Sequence, residues 1–148
     1  MSLKAILAAK GGSIIGIEPT ADVAAAAKSL STHHIGVLVV LDAGGSLVGI
    51  LSERDIVRTM ADVGNAILQM PVEQVMTRNV STCDVNDSIN SVMDRMMKGK
   101  FRHMPVLDKK RLAGLVSIGD VLKWQIETVR EHIHQLGTCI DELSLMRL

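Results

Sequence analysis

Leu47-Val48-Gly49-Ile50-Leu51-Ser52-Glu53-Arg54-Asp55-Ile56 and Leu112-Ala113-Gly114-Leu115-Val116-Ser117-Ile118-Gly119-Asp120-Val121 carry one pattern twice. Each is an apolar run with Gly in third place, then Ser, two variable residues, Asp and an aliphatic residue. Upstream, Ile14 to Asp42 slides 66 positions onto Val80 to Asp108. Leu38-Val39-Val40-Leu41-Asp42 thereby meets Met104-Pro105-Val106-Leu107-Asp108. One residue is lost where Ala43-Gly44-Gly45-Ser46 answers to Lys109-Lys110-Arg111, and the offset becomes 65. A match of pattern, turn, Gly, Ser and Asp in one order marks an internal repeat.

Each copy predicts the same elements. An extended segment, Ser13 to Ile17 or Asn79 to Cys83, leads to a helix with Thr20 or Asn86 as its N-cap. Val23, Ala26, Ala27 and Leu30, or Ile89, Val92, Met93 and Met96, give that helix one buried face. It runs to about Ser31 or Lys98. A buried strand follows (Val37 to Leu41, Met104 to Leu107), then a polar turn and a second strand (Leu47 to Leu51, Leu112 to Val116). Strands so closely joined form an antiparallel hairpin. A second helix starts at Ser52 and at Ser117. The expected fold is therefore α+β, two tandem βαββα units. One unit cannot cover both faces of its sheet, so the pair is expected to pack sheet to sheet. The division reads as an N-terminal segment 1–12, repeats 13–70 and 71–125, and a C-terminal helix 126–148, with Pro71 marking the break between repeats.

Composition agrees. Apolar residues are 47% of the 148 and aromatics 1%, so the core is aliphatic, as suits helices on buried strands. Sixteen basic residues balance sixteen acidic ones, which argues against a nucleic-acid partner. No apolar run is long enough for a membrane span and no signal peptide is evident, so a cytoplasmic location is expected.

The Ser-x-x-Asp corners have two readings. Ser at an N-cap with an acid three residues on is a capping box, which stabilises a helix and binds nothing. Against this, a helix N-terminus offers open N–H donors suited to phosphate, Ser adds a donor, and an Asp carboxylate accepts from ribose hydroxyls. The preceding glycines, Gly49 and Gly114, would let the backbone approach a ligand closely. Phosphate and ribose recognition together imply a nucleotide.

Val39-Val40-x-Asp42, a turn, and Leu47-Val48-Gly49-Ile50-x-Ser52-x-x-Asp55-Ile56 resemble the cystathionine beta-synthase (CBS) motif, found twice between Ser13 and Lys123. The resemblance implies a pseudo-twofold pair of repeats with up to two clefts for adenosine compounds: AMP, ADP, ATP, NAD(H) or S-adenosylmethionine. It implies Ser on phosphate and Asp on ribose, each cleft drawing on both repeats. The first cleft would combine Ser52, Arg54 and Asp55 with Val80, Ser81, Phe101, Arg102 and His103. The second would combine Ser117 and Asp120 with Ser13, Ile14, Ile15, His34, Gly36 and Val37. Arg54, Arg102 and His103 favour a phosphorylated ligand in the first cleft. Gly119, standing where the first has Arg54, leaves the second cleft a weaker anionic grip, and Ile118 in place of Glu53 makes that corner more apolar. Unequal sites, or one filled site, are expected.

No catalytic cofactor and no enzyme constellation are read here; the expected ligand is AMP or another adenosine nucleotide, and the expected role a regulatory sensor acting on an effector protein that the sequence leaves unnamed. The alternative is a protein–protein interaction module with vestigial clefts. Cys83 and Cys139 read as free thiols. His33, His34, His132 and His134 lack the shared helix face that metal ligation needs. Gly11-Gly12 and Gly44-Gly45 are turn glycines, and Met93, Met96 and Met97 fill core or interface. Leu122, Ile126, Val129, Ile133, Leu136 and Ile140 form a stripe on a helix that Gly137 interrupts. That stripe, with Met1 to Ala9 as a second amphipathic piece, is read as dimer contact, with packing on its own domain the alternative; the CBS resemblance implies a homodimer.

Overall fold

In the computed structural model the structure describes residues 3–11 and 13–145, with side chains described as far as residue 136. Gly12 of the expected turn pair and the side chains of Cys139 and Ile140 lie outside the described residues.

Both repeats form as expected. The first has β1 (Gly16–Ile17), α2 (Val23–His33), β2 (Val37–Leu41), β3 (Leu47–Ser52) and α3 (Glu53–Val63). The second has β4 (Cys83–Asp84), α5 (Ile89–Gly99), β5 (His103–Asp108), β6 (Arg111–Ser117) and α6 (Ile118–Leu145). Between them run a 3-10 turn, Gly64–Gln69, and the short α4 (Val72–Val75); before them lies α1 (Leu3–Lys10). Each sheet has three strands, the first parallel to the second and the second antiparallel to the third. The register repeats too: Val39 faces Ile50 in one sheet and Pro105 faces Leu115 in the other.

The first-helix caps fall two residues later than expected, at Asp22 and Ser88. Thr20 and Asn86 are consumed by turns, closed by Ala21 N–H on the Glu18 carbonyl at 3.2 Å and Asp87 N–H on the Asp84 carbonyl at 2.9 Å. Only after those turns is the backbone free to enter a helix, and Asp22 and Ser88 then accept from Ala25 and Ser91. Both helices also end later, at His33 and Gly99, with His34 and Lys100 left-handed at φ 52° and 55°. Gly137 does not interrupt α6, which continues to Leu145.

Strand periodicity separates two apolar layers. Leu38 and Val40 point into a core with Val23, Ala26, Leu30, Leu51 and Ile56. Val37 and Val39 point to the opposite face, and their burial (3% and 0% exposed) requires cover from the second repeat. The equivalents of Val37 and Val39 in the second repeat are His103 and Pro105.

Each repeat's own core is closed by the segment that precedes the other. Ile67, Val72, Val75 and Met76 join the first core. Leu3 and Ile6 of α1 join the second, with Cys83, Ile89, Val92, Met96, Met104 and Val116. The N-terminal helix, expected as either self-packing or dimer contact, thus packs on its own chain. Met96 is core and Met93 packs against it, whereas Met97 is exposed. Burial raises the Cys83 thiol to about 11. Leu51 is fully buried in the first core, so Leu51→Ala is expected to cost about 2–5 kcal/mol of unfolding free energy, measured by urea denaturation.

Candidate functional site

The strand-to-helix corners are built identically. Ser52 Oγ and N–H both donate to Asp55 Oδ2 at 2.8 Å, and Asp55 N–H returns a bond to Ser52 Oγ at 3.2 Å. Ser117 and Asp120 repeat all three bonds at the same distances. The first amide of each helix is also spent: Glu53 N–H on the Gly36 carbonyl at 3.0 Å, Ile118 N–H on the Arg102 carbonyl at 2.8 Å. The helix starts therefore offer fewer open amides than the sequence suggested, and the capping box is real. It also holds Ser and Asp in one fixed orientation at the mouth of a cleft.

The glycines before these corners do other work than expected. A Cβ at Gly49 would strike the Met76 side chain and sit 3.1 Å from the Thr77 carbonyl. At Gly114 it would lie 2.5 Å from Leu7. Both positions admit the segment that closes the core, not a ligand. Thr77 then pairs with Ile50 through two backbone bonds of 2.9 and 3.0 Å.

Of the clefts between the repeats, two lie at the Ser-x-x-Asp corners. The first, about 520 Å³, brings together Ser52, Arg54 and Asp55 with Val80, Ser81, Phe101, Arg102 and His103, every residue expected there. It adds Arg58, Thr77 and Lys100, which sequence reasoning missed. Arg58 lies one helical turn beyond Arg54, and that spacing was the available signal. Four cations thus line this cleft against one carboxylate, Asp55. Arg54 reaches across to the Lys100 carbonyl at 3.3 Å, tying the first repeat's corner to the second repeat. Thr77 Oγ1 donates to Asp55 Oδ1 at 3.4 Å.

The second cleft is smaller, about 300 Å³. It gathers Ser13, Ile14, Ile15, His34, Gly36, Val37 and Ser117 as expected, with Leu7 and Lys10 of α1 in addition. Asp120, expected here, is not among the lining residues; it contacts Lys10, whose ammonium donates to Asp120 Oδ2 at 2.7 Å and to the Leu115 carbonyl at 3.2 Å. Burial works to raise the Asp120 carboxyl, but hydrogen bonds from Lys10 and Ser117 outweigh it and hold it below the usual carboxylate range. Lys10 is not legible in the repeat, because it lies outside the repeated pattern.

His103 lines both clefts. Burial, with the Arg102 and Lys10 charges, lowers its pKa from 6.5, against the opposing pull of Asp120 and Glu53. It is therefore neutral at pH 7. Among the described residues no group of three or more His, Cys, Asp or Glu could hold a metal ion, and no helix is long and apolar enough to cross a membrane.

Comparison with known proteins gives this architecture its family. The CBS-domain model matches residues 12–62 and again 72–127. The chain belongs to the CBS-domain family. The uncharacterized 17.7 kDa protein in the bps2 3' region of Acidianus ambivalens is 33% identical over 129 residues, 86% of this chain and 75% of that protein. The CBS-domain protein ATU1752 from Agrobacterium tumefaciens has a similar crystal structure: 43% identity, TM-score 0.80, 82% of this chain and 91% of that one. The CBS domain pair of protein MJ0100, solved in complex with 5′-methylthioadenosine and S-adenosyl-L-methionine, superposes with TM-score 0.71 at 30% identity, over 84% of this chain and 98% of that one. The tandem CBS fold is thereby shared with solved CBS pairs, and this chain continues from it into the long α6.

In an NMR titration the His103 ring is expected to show a midpoint below 6.5. The unfolded chain takes up that proton first, so His103 removes stability as the pH falls below about 6.5. An ordinary or raised midpoint would contradict the site electrostatics described.

Proposed function

We propose that this CBS pair is a non-catalytic cytoplasmic sensor that binds adenosine nucleotides between its repeats. The observation carrying this reading is the cationic first cleft around a fixed Ser52–Asp55 corner: Arg54, Arg58, Lys100 and Arg102 surround a single carboxylate. Arginine forks suit phosphate, and Asp55 Oδ1, left out of the capping box, suits ribose hydroxyls. The MJ0100 domain pair, with adenosine-derived ligands bound, supports the ligand class. AMP, ADP, ATP and NAD(H) all have the phosphate and ribose that this cleft addresses. A ligand there touches both repeats, so it favours one relative arrangement of them, and an effector protein reads that shift.

The second cleft, with one cation already paired, is the poorer anion site, and the two clefts are unequal. The bonds within each capping box also favour a second reading, an interaction module whose Ser and Asp serve only the helices. Calorimetry of ligand-stripped protein with AMP, ATP, NADH and S-adenosylmethionine separates them. Asp55→Asn is expected to weaken phosphorylated ligands about ten- to a hundredfold, the scale of a hydrogen bond to a charged group. Saturable binding by none of the four, with the protein folded, leaves the interaction module.

The chain also pairs with a second copy in this reading. The equivalent helices α3 and α6 both leave aliphatic side chains in water: Val57 (67% exposed) and Met60 on one, Ile126, Val129, Ile133 and Leu136 (65% exposed) on the other. Two such faces on pseudo-symmetric helices suit an isologous contact, in which each copy covers the other. Analytical ultracentrifugation is expected to show a dimer, and Val57→Glu with Ile126→Glu to shift it to monomer.

A further inference from the structure

A third cleft lies between the repeats where both hairpin turns meet, at the strand ends away from the Ser-x-x-Asp corners. It measures about 860 Å³, more than either corner cleft. Its apolar lining comes in pairs related by the repeat offsets: Ile14 with Val80, Leu41 with Leu107, Leu47 with Leu112. The cleft therefore lies on the pseudo-twofold axis. All six side chains are half-buried, and none joins the core of either repeat. Leu41 pairs across its hairpin with Leu47, and Leu107 with Leu112, each pair just beyond an irregularity in the ladder.

The charged lining breaks that symmetry. Arg78, Lys110 and Arg111 line the cleft, and no acidic side chain does. By the same offsets their counterparts are Gly12, Gly45 and Ser46. The turn between β5 and β6 has only two residues, Lys109 and Lys110, both at positive φ (49° and 67°), so Lys110 and Arg111 leave it from a fixed place. Arg78 donates through Nη2 to the Glu73 carbonyl at 3.0 Å, which uses one of its five N–H donors. Beside the first turn, Asp42 spends Oδ1 on the amides of Gly44 and Ser46, both at 2.9 Å.

We propose that this hairpin cleft is a third binding site, for a small organic phosphate with an apolar body. Three cations without a carboxylate select an anion, and the arginine forks suit phosphate. No carboxylate here accepts from ribose hydroxyls as Asp55 does in the nucleotide reading; six aliphatic side chains outside both cores offer apolar contact instead. The site goes beyond the nucleotide reading and stands without it. Asn79 and Val80 also line the first corner cleft, and Ile14 the second, so only a residue-resolved measurement separates the sites.

The probe is 1-naphthyl phosphate, followed by the amide chemical shifts of the full chain. Saturable shifts are expected at Gly44, Gly45, Thr82, Lys110 and Leu112, which line neither corner cleft. Naphthol lacks the charge and inorganic phosphate lacks the body, so both are expected to leave these amides in place at the same concentration. Lys110→Asn with Arg111→Gln is expected to weaken the probe about tenfold, the scale of two exposed ion pairs. Asn suits a left-handed backbone better than Lys, so the urea midpoint is expected to hold or rise while affinity falls. Shifts confined to the corner clefts, equal shifts with naphthol or inorganic phosphate, or unchanged affinity in the double variant each overturn the proposal. Shifts at both turns with an acidic peptide or anionic vesicles, but not with the probe, overturn it in favour of a macromolecular partner. AMP at the first corner is read at residues 52–58 instead, so either reading can fail alone.

Discussion

Neither repeat of this chain closes its own core. The three-stranded sheets are small, and each has a helix layer that leaves a gap over the third strand. That gap is filled from the other side of the pseudo-symmetry: Ile67, Val72, Val75 and Met76 over the first sheet, Leu3, Ile6 and Leu7 over the second. The glycines at positions 49 and 114 mark where the closing segments come too near for a side chain. Because the same segments lead directly into β4 and β1, the burial that stabilises one repeat fixes where the other begins. The pair is thus one structure.

The clefts follow from that exchange. A segment crossing from one repeat to the other must pass the strand-to-helix corner, and so each corner Asp acquires a neighbour from the crossing chain. The corners themselves are alike to a tenth of an ångström in their hydrogen bonds. Their difference lies in what surrounds them. Arg54 and Arg58 on α3 give way to Gly119 and Lys123 on α6, while the crossing segment supplies Thr77 to one and Lys10 to the other. Duplicated scaffolding thus carries two electrostatically distinct cavities.

Much of this was legible because the repeat reports itself. A strand periodicity of two and a helical periodicity near four, recurring at one offset, gave the order of elements, and the resemblance to the CBS motif implied the lining of the first cleft residue by residue. The helix caps were misplaced by two positions because Thr20 and Asn86 are good caps in isolation, and only the turns closed by Ala21 and Asp87 reveal that they are spent. Gly49 and Gly114 read in sequence as positions of close approach by a ligand, whereas the approaching group is another part of the chain. Lys10 was illegible for a simple reason. Its role depends on a contact 110 residues away, from a helix with no counterpart pattern in sequence.

The capping boxes need not be chosen over the ligand sites. A carboxylate has two oxygens with about four acceptor positions between them. At both corners Oδ2 takes the Ser N–H and hydroxyl. At Asp55 the second oxygen has only the long bond from Thr77. The cap fixes the side chain in a single rotamer, so a ligand meeting Oδ1 need not pay for ordering it. Stability of the helix and readiness of the cleft then come from one arrangement, and any substitution at the corner touches both. For that reason the cations around the corner, which serve no cap, carry the proposal of a phosphate-bearing ligand better than Ser52 and Asp55 themselves.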